Sequence, residues 1–526
     1  MKSSVNNLQT LADGPSQTPV VALINPNLVL QKNDLFTTGI VYMPVSLAYF
    51  AGSIKEAGIR LQVIDAFGAN PNQWWSSAEL IVRGLTPDEV VTSLDPKARI
   101  AVLYAINVTY HDAVMAILRK IREVRPSVTV IVMENTQAVT AYSISDIQET
   151  FYRAGAHYVI TGEPEVRGLK LLSCLLNGQG SDAISQIDGI GFPQEGSIHY
   201  SKPSQNVPDL DSLPMPYWDL FPLTNYWQLQ YAHGPLSSKK YLPLLTSRGC
   251  PYPCGFCVIP KTNDRRWRGK SAVRVVDEIE YLLNRFGVHE FHIEDVDPTI
   301  DDQRIRAMCQ EILSRNLSVT WKICSGTKVE TIRDEKTLEL MAEAGCRYIS
   351  ISPESGSSRM MSLINKPFNV PHAKKLIQAM NRLGIRSQAC FVLGFPGEEE
   401  PDRSLTEVLV RDLSQLGVDE IAVFIVTPVP GSSIYEKFSG FTEYTQLTFS
   451  PSWRKDYVKL NQFRLRLYKV FLVTKLRHHP MRLLLQPWFF LLRRFQTKME
   501  MVPYRALHTF LIWKGFIGRR VAYGMH

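Results

Sequence analysis

Cys250-Pro-Tyr-Pro-Cys254-Gly-Phe-Cys257 places three thiols within one short stretch of the sequence. Cysteine thiolates are the ligands that iron–sulfur clusters require, and a compact loop lets three of them converge on one cubic cluster. A structural zinc site would need a fourth ligand, but no second Cys-x-x-Cys or His-x-x-x-His pair occurs elsewhere in the sequence. The loop is therefore predicted to hold three irons of a 4Fe–4S cluster and to leave the fourth iron open for chemistry.

Short apolar runs alternate with longer amphipathic ones on both sides of this loop, a pattern typical of strands and helices around parallel sheets. Five strand–helix units fit between Val20 and Glu163, and about six follow between Leu242 and Phe438. The first set predicts an α/β, doubly wound, Rossmann-like domain, and the second predicts a partial (β/α)6 barrel of the TIM type. In both, ligands are expected at the carboxyl ends of the strands.

These patterns divide the 526 residues into five predicted segments. They are a disordered polar tail (1–18), a Rossmann-like domain (19–170), a proline-rich linker (171–238), a barrel (239–440) and a basic, apolar helical C-terminal region (441–526). The tail has no apolar core beside a cleavage site, so no export signal is expected. The other five cysteines are scattered without pairing, which is typical of a reducing compartment, and a cytoplasmic location is expected.

Ser247-Arg248-Gly249 before the cysteines and Phe256 between them resemble the cluster loop of the radical SAM enzymes. The resemblance implies that the open iron chelates S-adenosylmethionine (SAM). It also implies an electron donor, such as flavodoxin or ferredoxin, whose electron breaks a carbon–sulfur bond of SAM. The resulting 5′-deoxyadenosyl radical takes hydrogen from an unactivated carbon, which acid–base chemistry cannot do.

Polar groups at the ends of the predicted barrel strands match the positions at which this superfamily recognises SAM. The implied SAM-binding residues are Phe256, Glu294, Asp295, Asp297, Glu354, Ser355, Gly394 and Pro430. Carboxylates supply the acceptors that an ammonium group or a ribose hydroxyl needs, and glycine permits close contact with a flat adenine. Solvation of a loop is the alternative interpretation of each acidic residue. No catalytic side chain is assigned beyond the three cysteines.

The first domain resembles the cobalamin-binding domain that precedes many radical SAM cores. The resemblance is carried by Pro44-Val-Ser-Leu-Ala-Tyr-Phe-Ala-Gly52, Glu56-Ala-Gly58 and Thr161-Gly-Glu-Pro-Glu165. Two features depart from the family: the Asp-x-His-x-x-Gly signature is absent, and Met133-Glu-Asn-Thr136 stands where paired glycines are usual. His111 has two interpretations, a residue that faces a ligand or a capping or surface residue. By position, the implied cobalamin contacts are Asn25, Pro26, Thr109, Tyr110, Gly162 and Glu163.

The C-terminal region is strongly basic: from Pro451 onward it has sixteen Lys and Arg but two acidic residues, while the whole chain carries +8. Its longest apolar run, between Arg482 and Arg493, is broken by Pro487 and is too short to span a membrane. Peripheral association with an anionic membrane is one interpretation. A helical cap packed on the barrel is the other. Because no RNA-binding module is recognisable, a nucleic-acid partner is not expected.

The leading hypothesis from the sequence is cobalamin-dependent methylation of an unactivated carbon in a small or lipid-like substrate. Two alternatives stay open. One is radical SAM oxidation, cyclisation or rearrangement without cobalamin, and the other is a non-catalytic iron–sulfur or zinc-binding scaffold. A methylthio-transferring enzyme is not expected, because the first domain lacks the three cysteines that a second cluster would require.

Overall fold

The computed structural model describes residues 18–77, 79–138, 141–204 and 206–523. The chain forms two units. The first contains the residues up to Asn33, Pro44–Tyr226 and Leu511–His526, and the second contains Asp34–Met43 and Trp227–Phe510. Apart from Thr18, the predicted disordered tail lies outside the described residues.

The first unit is built on a largely parallel sheet. Its strands are β1 (Val20–Asn25), β2 (Leu28–Gln31), β3 (Leu61–Asp65), β4 (Gln73–Ser77), β5 (Leu80–Arg83), β6 (Ala98–Ala105), β7 (Thr129–Glu134), β8 (Tyr158–Ile160), β9 (Ile190–Gln194) and β10 (Ser197–Tyr200). Seven of them form one sheet in the order β10-β9-β8-β7-β6-β1-β3. The central strands pair in parallel, and every residue of β1 and β3 is buried, as expected for strands covered on both faces.

Helices surround this sheet and confirm the predicted α/β class. They are α1 (Val45–Glu56), α2 (Ala66–Ala69), α3 (Pro87–Thr92), α4 (His111–Val124), α5 (Gln148–Arg153), α6 (Pro164–Leu176), α7 (Ser181–Ser185) and α8 (Leu223–Leu229). A capping box starts α3: Thr86 Oγ1 accepts a hydrogen bond from Glu89 N, and the Glu89 carboxylate accepts one from Thr86 N.

The segment 171–238 differs from the irregular linker that its prolines predict. It contains the end of α6, helix α7 and the hairpin β9–β10, which joins the edge of the sheet through antiparallel pairing with β8. Ile190 and Phe192 on β9 are buried, so this hairpin contributes to the core of the first unit. The strands are too short, and too often interrupted by Pro193 and glycine, for periodicity to reveal them.

A second, small sheet of the first unit includes the end of the described chain. Strands β2, β4 and β5 pair in an antiparallel arrangement, and the two-residue strand Arg519–Arg520 pairs in parallel with β4. The predicted C-terminal region is therefore not purely helical. Its last described residues contribute a sheet edge to the first unit.

The second unit contains the predicted partial barrel. Its strands are β11 (Leu242–Leu244), β12 (Ser247–Arg248), β13 (Arg268–Gly269), β14 (Glu290–Ile293), β15 (Thr320–Thr327), β16 (Cys346–Glu354), β17 (Arg386–Leu393) and β18 (Glu420–Ile425). Six of these strands form one parallel sheet in the order β11-β14-β15-β16-β17-β18. Each of these strands ends at the same edge, so the loops that follow them meet there.

Helices connect the strands and then continue past the barrel. They are α9 (Ile259–Thr262), α10 (Ala272–Phe286), α11 (Asp302–Ser314), α12 (Glu335–Glu343), α13 (Ser358–Leu363), α14 (Val370–Leu383), α15 (Glu400–Gln415), α16 (Tyr457–His478), α17 (Pro480–Leu484), α18 (Gln486–Leu492) and α19 (Lys498–Trp513). Helix α16 packs against α15 and β18. Among the described residues, no helix has both the length and the hydropathy needed to cross a membrane.

Candidate active site

The cysteine loop follows β12 and is fixed through its backbone. Gly255 N donates a hydrogen bond to Ile364 O (3.0 Å), and Ser433 Oγ donates one to Gly255 O (2.9 Å). Just before the first cysteine, Gly249 adopts a φ of +80°, and a Cβ there would lie 2.0 Å from Arg266 O. Only glycine fits this turn, which directs the chain from β12 into the loop.

The three cysteines have the chemistry of a cluster-binding set. All three thiols are free and partly buried. Burial raises the pKa of Cys250 to about 12 and also raises the pKa values of Cys254 and Cys257. Thiols in such a site remain protonated near neutral pH unless a metal displaces their protons. The donor set therefore fits iron, whose binding would supply the positive charge that three buried thiolates need.

A lysine that the sequence analysis missed lies between the loop and the end of β16. Lys366 Nζ donates a hydrogen bond to Glu354 Oε1, and it lies 5.8 Å from the centre of the Phe256 ring. Both members of this ion pair are buried. Although burial lowers the pKa of Lys366, Glu354 and the thiol of Cys254 raise it above its usual value. The signal in the sequence was weak, because one lysine after a short helix has no distinctive spacing.

Glu354 itself has an unusual backbone. Its φ is +59°, in the left-handed region that side-chain-bearing residues seldom adopt. Such strain at a strand end is commonly found where a side chain is held for function. The next residue, Ser355, shares a hydrogen bond with Thr406 (Oγ–Oγ1 3.1 Å), which fixes the turn after the strand.

The three predicted carboxylates after β14 have different surroundings. Asp295 is buried and accepts hydrogen bonds from Thr246 N (2.7 Å), Thr246 Oγ1 (2.6 Å) and Ser247 Oγ (2.6 Å). Asp297 is also buried and accepts hydrogen bonds from the hydroxyl groups of three threonines, Thr299, Thr327 and Thr331. These contacts brace the strand ends beside the cysteine loop, so the chain's own donors already satisfy both carboxylates.

Glu294 differs from its two neighbours. Its Oε2 accepts a hydrogen bond from His233 Nδ1 (2.6 Å), and within the part of the chain that the structure describes its Oε1 has no hydrogen-bond partner. Although burial would raise the pKa of Glu294, His233 holds it below its usual value. Of the three acidic residues after β14, Glu294 is therefore the one with a charged oxygen left for a ligand.

The ends of β17 and β18 hold further unsatisfied polar atoms. Gly394, with a φ of +81°, donates its N–H to Glu398 Oε2 (2.8 Å). Three buried side-chain oxygens near Gly394 and the buried Pro430 have no partner among the described residues: Glu398 Oε1, Thr427 Oγ1 and Ser432 Oγ. Buried polar atoms are nearly always hydrogen-bonded, so these three fit a ligand that carries hydroxyl and amino groups, as SAM does.

A second group of possible metal ligands lies inside the barrel. One ligand atom from each of His292, Glu294 and Cys324 lies within 4.8 Å of the others, the one such group among the described residues. His292 Nε2 is 3.0 Å from Glu290 Oε1, which places its proton there and leaves Nδ1 as an acceptor. A Cβ on Gly234 would lie 2.3 Å from Cys324 Sγ and 2.8 Å from His292 Nδ1. This glycine packs directly on the group, which fits a packed polar core better than a coordinated ion.

The six predicted cobalamin contacts lie at one edge of the first unit's sheet. The structure places them at the end of β1 or after the parallel strands β1, β6 and β8: Asn25, Pro26, Thr109, Tyr110, Gly162 and Glu163. Three buried amide oxygens at this edge have no partner among the described residues, namely those of Asn25, Asn27 and Gln137. The periphery of a corrin carries amide N–H donors, so these acceptors fit that class of ligand. Two predicted contacts are instead engaged within the chain, because Gly162 N donates to Glu134 Oε2 (2.7 Å) and Val207 N donates to Glu163 Oε2 (2.7 Å).

Two residues near this edge, Glu134 and His111, are buried. Glu134, which stands where the family usually has glycine, accepts hydrogen bonds from the N–H groups of Ile144 and Gly162, and burial raises its pKa to about 7. His111 is not a surface residue: it is buried at the start of α4, with Nδ1 3.4 Å from Tyr142 Oη. Burial lowers the pKa of His111 to about 4, so its ring is neutral at physiological pH.

The sequence profile of the Radical SAM superfamily matches residues 244–409. The match begins at the end of β11, contains the cysteine loop and continues into α15. Residues 244–409 therefore match a radical SAM domain, and the three cysteines lie within this match.

Curated relatives extend the similarity beyond this domain. The chain is 25% identical over 370 residues to an uncharacterized methyltransferase of Pyrococcus horikoshii, covering 67% of this chain and 76% of the relative. It is 24% identical over 473 residues to the cytidylyl-2-hydroxyethylphosphonate methyltransferase of Streptomyces wedmorensis, covering 84% and 86%. It is 28% identical over 287 residues to the anaerobic magnesium-protoporphyrin IX monomethyl ester cyclase of Rubrivivax gelatinosus, covering 54% of this chain and about half (49%) of the cyclase.

Solved structures show the same fold. The radical SAM methyltransferase TsrM from Kitasatospora setae, solved with tryptophan and a SAM analogue, aligns with a TM-score of 0.61 at 16% identity over 80% of this chain and 76% of its own. The cobalamin-dependent SAM radical enzyme OxsB aligns with a TM-score of 0.60 at 19% identity over 86% of this chain and 56% of its own. The predicted combination of a Rossmann-like unit and a partial barrel is thus confirmed as a fold.

Proposed function

We propose that this protein is a radical SAM enzyme that methylates an unactivated carbon of a small or lipid-like substrate with the help of cobalamin. The observation that carries the proposal is the loop of three free cysteines at the carboxyl edge of a six-stranded parallel barrel. The similarity to named methyltransferases over most of the chain supports methyl transfer as the outcome.

In this proposal the three cysteines hold a 4Fe–4S cluster. When bound, the cluster supplies the electron that divides SAM into methionine and a 5′-deoxyadenosyl radical, and a reductant such as flavodoxin or ferredoxin renews that electron. Glu294 and Glu354 supply carboxylates for the polar groups of SAM, and the unpaired oxygens of Glu398, Thr427 and Ser432 supply further acceptors. The rings of Phe256 and Phe395 pack with their centres 5.4 Å apart, so apolar side chains lie beside the cysteine loop.

Cobalamin is assigned to the first unit. The amide oxygens of Asn25, Asn27 and Gln137 would accept hydrogen bonds from it, and bound cobalamin would supply the methyl group. A corrin without a histidine ligand from this chain is expected, because the Asp-x-His-x-x-Gly signature is absent and His111 is buried against Tyr142.

Anaerobic purification with cobalamin in the growth medium tests the proposal. Corrinoid absorption bands, together with iron–sulfur absorption and reductant-dependent formation of 5′-deoxyadenosine, are expected. The matched control is Cys254→Ala, which should retain the corrinoid bands and lose 5′-deoxyadenosine. An absence of 5′-deoxyadenosine from the reconstituted wild-type protein would instead support a non-catalytic iron–sulfur or zinc-binding scaffold.

A radical SAM reaction without cobalamin is the second candidate. It is favoured by Glu134, whose carboxylate occupies a position at which the cobalamin-binding family usually has glycine. The similarity to a cyclase also allows cyclisation as the outcome. In that case 5′-deoxyadenosine would form, but the purified protein would show iron–sulfur absorption alone even after supplementation with cobalamin.

We also propose that the protein associates peripherally with an anionic membrane. Support comes from the basic C-terminal helices, which leave many apolar side chains exposed. A cytoplasmic location, with the membrane surface as a partner, is consistent with a lipid-like substrate.

A further inference from the structure

Helices α17 and α18 expose apolar side chains along one face. The apolar face consists of Met481, Leu484, Leu485, Trp488, Leu491 and Leu492, whose exposed fractions range from 44% to 72%. Their spacing of three, four and seven residues places them on the same side of a helical segment. A helix that packs only on a protein core would bury such a stripe. Here the stripe faces away from the core.

Helix α16, which precedes α17, also exposes apolar and basic residues side by side. Leu465, Leu472 and Leu476 are exposed at intervals of seven and four residues, on one line along the helix. Beside that line, Arg466, Lys469 and Arg477 follow one another at helical spacing. Basic residues therefore flank an exposed apolar line, as in helices that lie in the plane of a membrane interface.

The basic side of α16 forms a groove with α15. The groove has a volume of about 500 Å³ and is lined by Arg411, Gln415, Arg466, Lys469, Val470, Val473, Thr474, Arg477 and His478. Arg411 and Arg466 both pair with Glu407, at 3.0 and 2.7 Å. Among the described residues, Lys469 and Arg477 have no acidic partner, so the groove keeps a surplus of positive charge.

We propose that α16, α17 and α18 form a docking surface for a bilayer of anionic phospholipid, in which the groove receives a headgroup and the apolar face enters the acyl boundary. This inference rests on the proposed membrane association and identifies the residues that carry it. Charge complementarity favours this occupant. A phospholipid presents its phosphate next to its acyl chains, and on α16 the basic groove lies next to the exposed apolar line. Helices α17 and α18 together span about 20 Å and lie along such a surface.

Co-sedimentation of the intact protein with vesicles of phosphatidylserine and phosphatidylcholine tests the basic groove. Replacing Lys469 and Arg477 by Gln is expected to weaken binding about 30-fold, because each cation near an anionic surface contributes about fivefold. The matched control replaces Lys336 and Lys375, two lysines on α12 and α14 outside the surface, and should bind like wild type. Equal weakening by both pairs would overturn the groove as a specific site.

The apolar face has its own test and its own control. Trp488→Ser should weaken vesicle binding about tenfold, and Leu476→Ser, on the exposed apolar line of α16, should weaken it by a smaller factor. Val273→Ser, at a similarly exposed position (51%, against 58% for Leu476) on α10, should have no effect. Wild-type fluorescence should be quenched by brominated lipid acyl chains, and Trp488→Phe should remove most of that quenching. Quenching that is unchanged in Trp488→Phe would show that the face does not enter the bilayer.

Other occupants give different results. Binding to free phosphate or to RNA, with no sedimentation on anionic vesicles, would overturn the proposal in favour of a soluble anion. Formation of 5′-deoxyadenosine is measured on every variant and is expected to equal that of wild type, because none of these residues lies near the cysteine loop. A variant that loses vesicle binding but still forms 5′-deoxyadenosine would therefore show that the replaced residue acts in membrane binding and not in the reaction. If the wild-type protein binds vesicles but does not cleave SAM, the proposed reaction is wrong and the docking surface still stands.

Discussion

Replacing Lys366 by Met is expected to destabilise the barrel unit in a pH-dependent way. Lys366 and Glu354 form a buried ion pair beside the cysteine loop. Removing the lysine leaves an unpaired carboxylate in a site from which water is excluded. The pKa of Glu354, already raised by burial despite its partner, should rise further.

The structure sets the size of this effect. Breaking one side of a buried ion pair costs about 3–5 kcal/mol when the other charge must remain. Protonation of Glu354 limits that cost. The ordinary pKa of a glutamate side chain is 4.5, so holding Glu354 neutral at pH 7 costs about 3.4 kcal/mol, or 1.36 kcal/mol for each pH unit. A carboxyl whose pKa is higher in the folded than in the unfolded protein makes the folded protein less stable as pH rises. The loss of unfolding free energy in Lys366→Met should therefore be near zero below pH 4.5 and about 3 kcal/mol at pH 7.

The assay is denaturant unfolding of the cluster-free protein, followed across this pH range. The double variant Lys366→Met/Glu354→Gln is the matched control, because it removes both charges and should regain most of the stability at pH 7. If Lys366→Met lowers the free energy of unfolding by the same amount at pH 4.5 and pH 7, the buried-charge explanation is refuted. That result would point to lost packing of the lysine stem instead.

Cys254→Ala should abolish the iron–sulfur absorption and 5′-deoxyadenosine formation while leaving the far-ultraviolet circular dichroism unchanged; a full complement of cluster iron would contradict the assignment. For His111, the folded pKa of about 4 lies below the ordinary histidine value of 6.5, so wild-type stability should fall by about 3 kcal/mol as pH drops from 6.5 to 4. His111→Gln should lack this fall, measured as the difference between the two unfolding curves. Gly249→Ala should prevent cluster assembly, because the new Cβ would lie 2.0 Å from Arg266 O. The control is Gly384→Ala, because Gly384 has a similar φ (+72°) and a Cβ there would have no neighbour within 4 Å. This variant should lose only about 1 kcal/mol of unfolding free energy and should keep its normal cluster content.

The sequence was sufficient to predict the parallel strands and the residues at their ends. Val20–Asn25 is an apolar run that ends in a polar residue, and such a run has few alternatives to a buried parallel strand. Cys346–Glu354 mixes apolar and polar residues but likewise ends in a carboxylate. Because all parallel strands end at one edge, the sequence also predicts which polar side chains share that edge. Asn25, Glu294 and Glu354 lie where this rule puts them.

Hydrogen-bond partners were beyond the reach of the sequence. Nothing in the spacing shows that Asp295 is satisfied by Thr246 and Ser247, while Glu294, one residue earlier, keeps an oxygen free. The same limit hid Lys366, whose role depends on a contact across α13. Partnership depends on tertiary packing, and a carboxylate looks the same in sequence whether it braces a strand or binds a ligand.

The difference between polar groups that are paired within the chain and those that are not also separates the proposed SAM site from the proposed cobalamin site. In the barrel unit, buried oxygens of Glu398, Thr427 and Ser432 have no partner among the described residues, so they could accept hydrogen bonds from a ligand. At the corresponding edge of the first unit, Asn25 and Gln137 leave acceptors in the same way, but the N–H of Gly162 already donates to Glu134. If cobalamin binds here, its contacts are therefore side-chain amides and not the glycine backbone that the family usually provides. Asn25→Ala and Gln137→Ala should then each weaken corrinoid retention, whereas Glu134→Gly should leave it unchanged. Retention that is unchanged in both alanine variants and increased in Glu134→Gly would instead place the cofactor on the backbone, because that variant frees the N–H of Gly162.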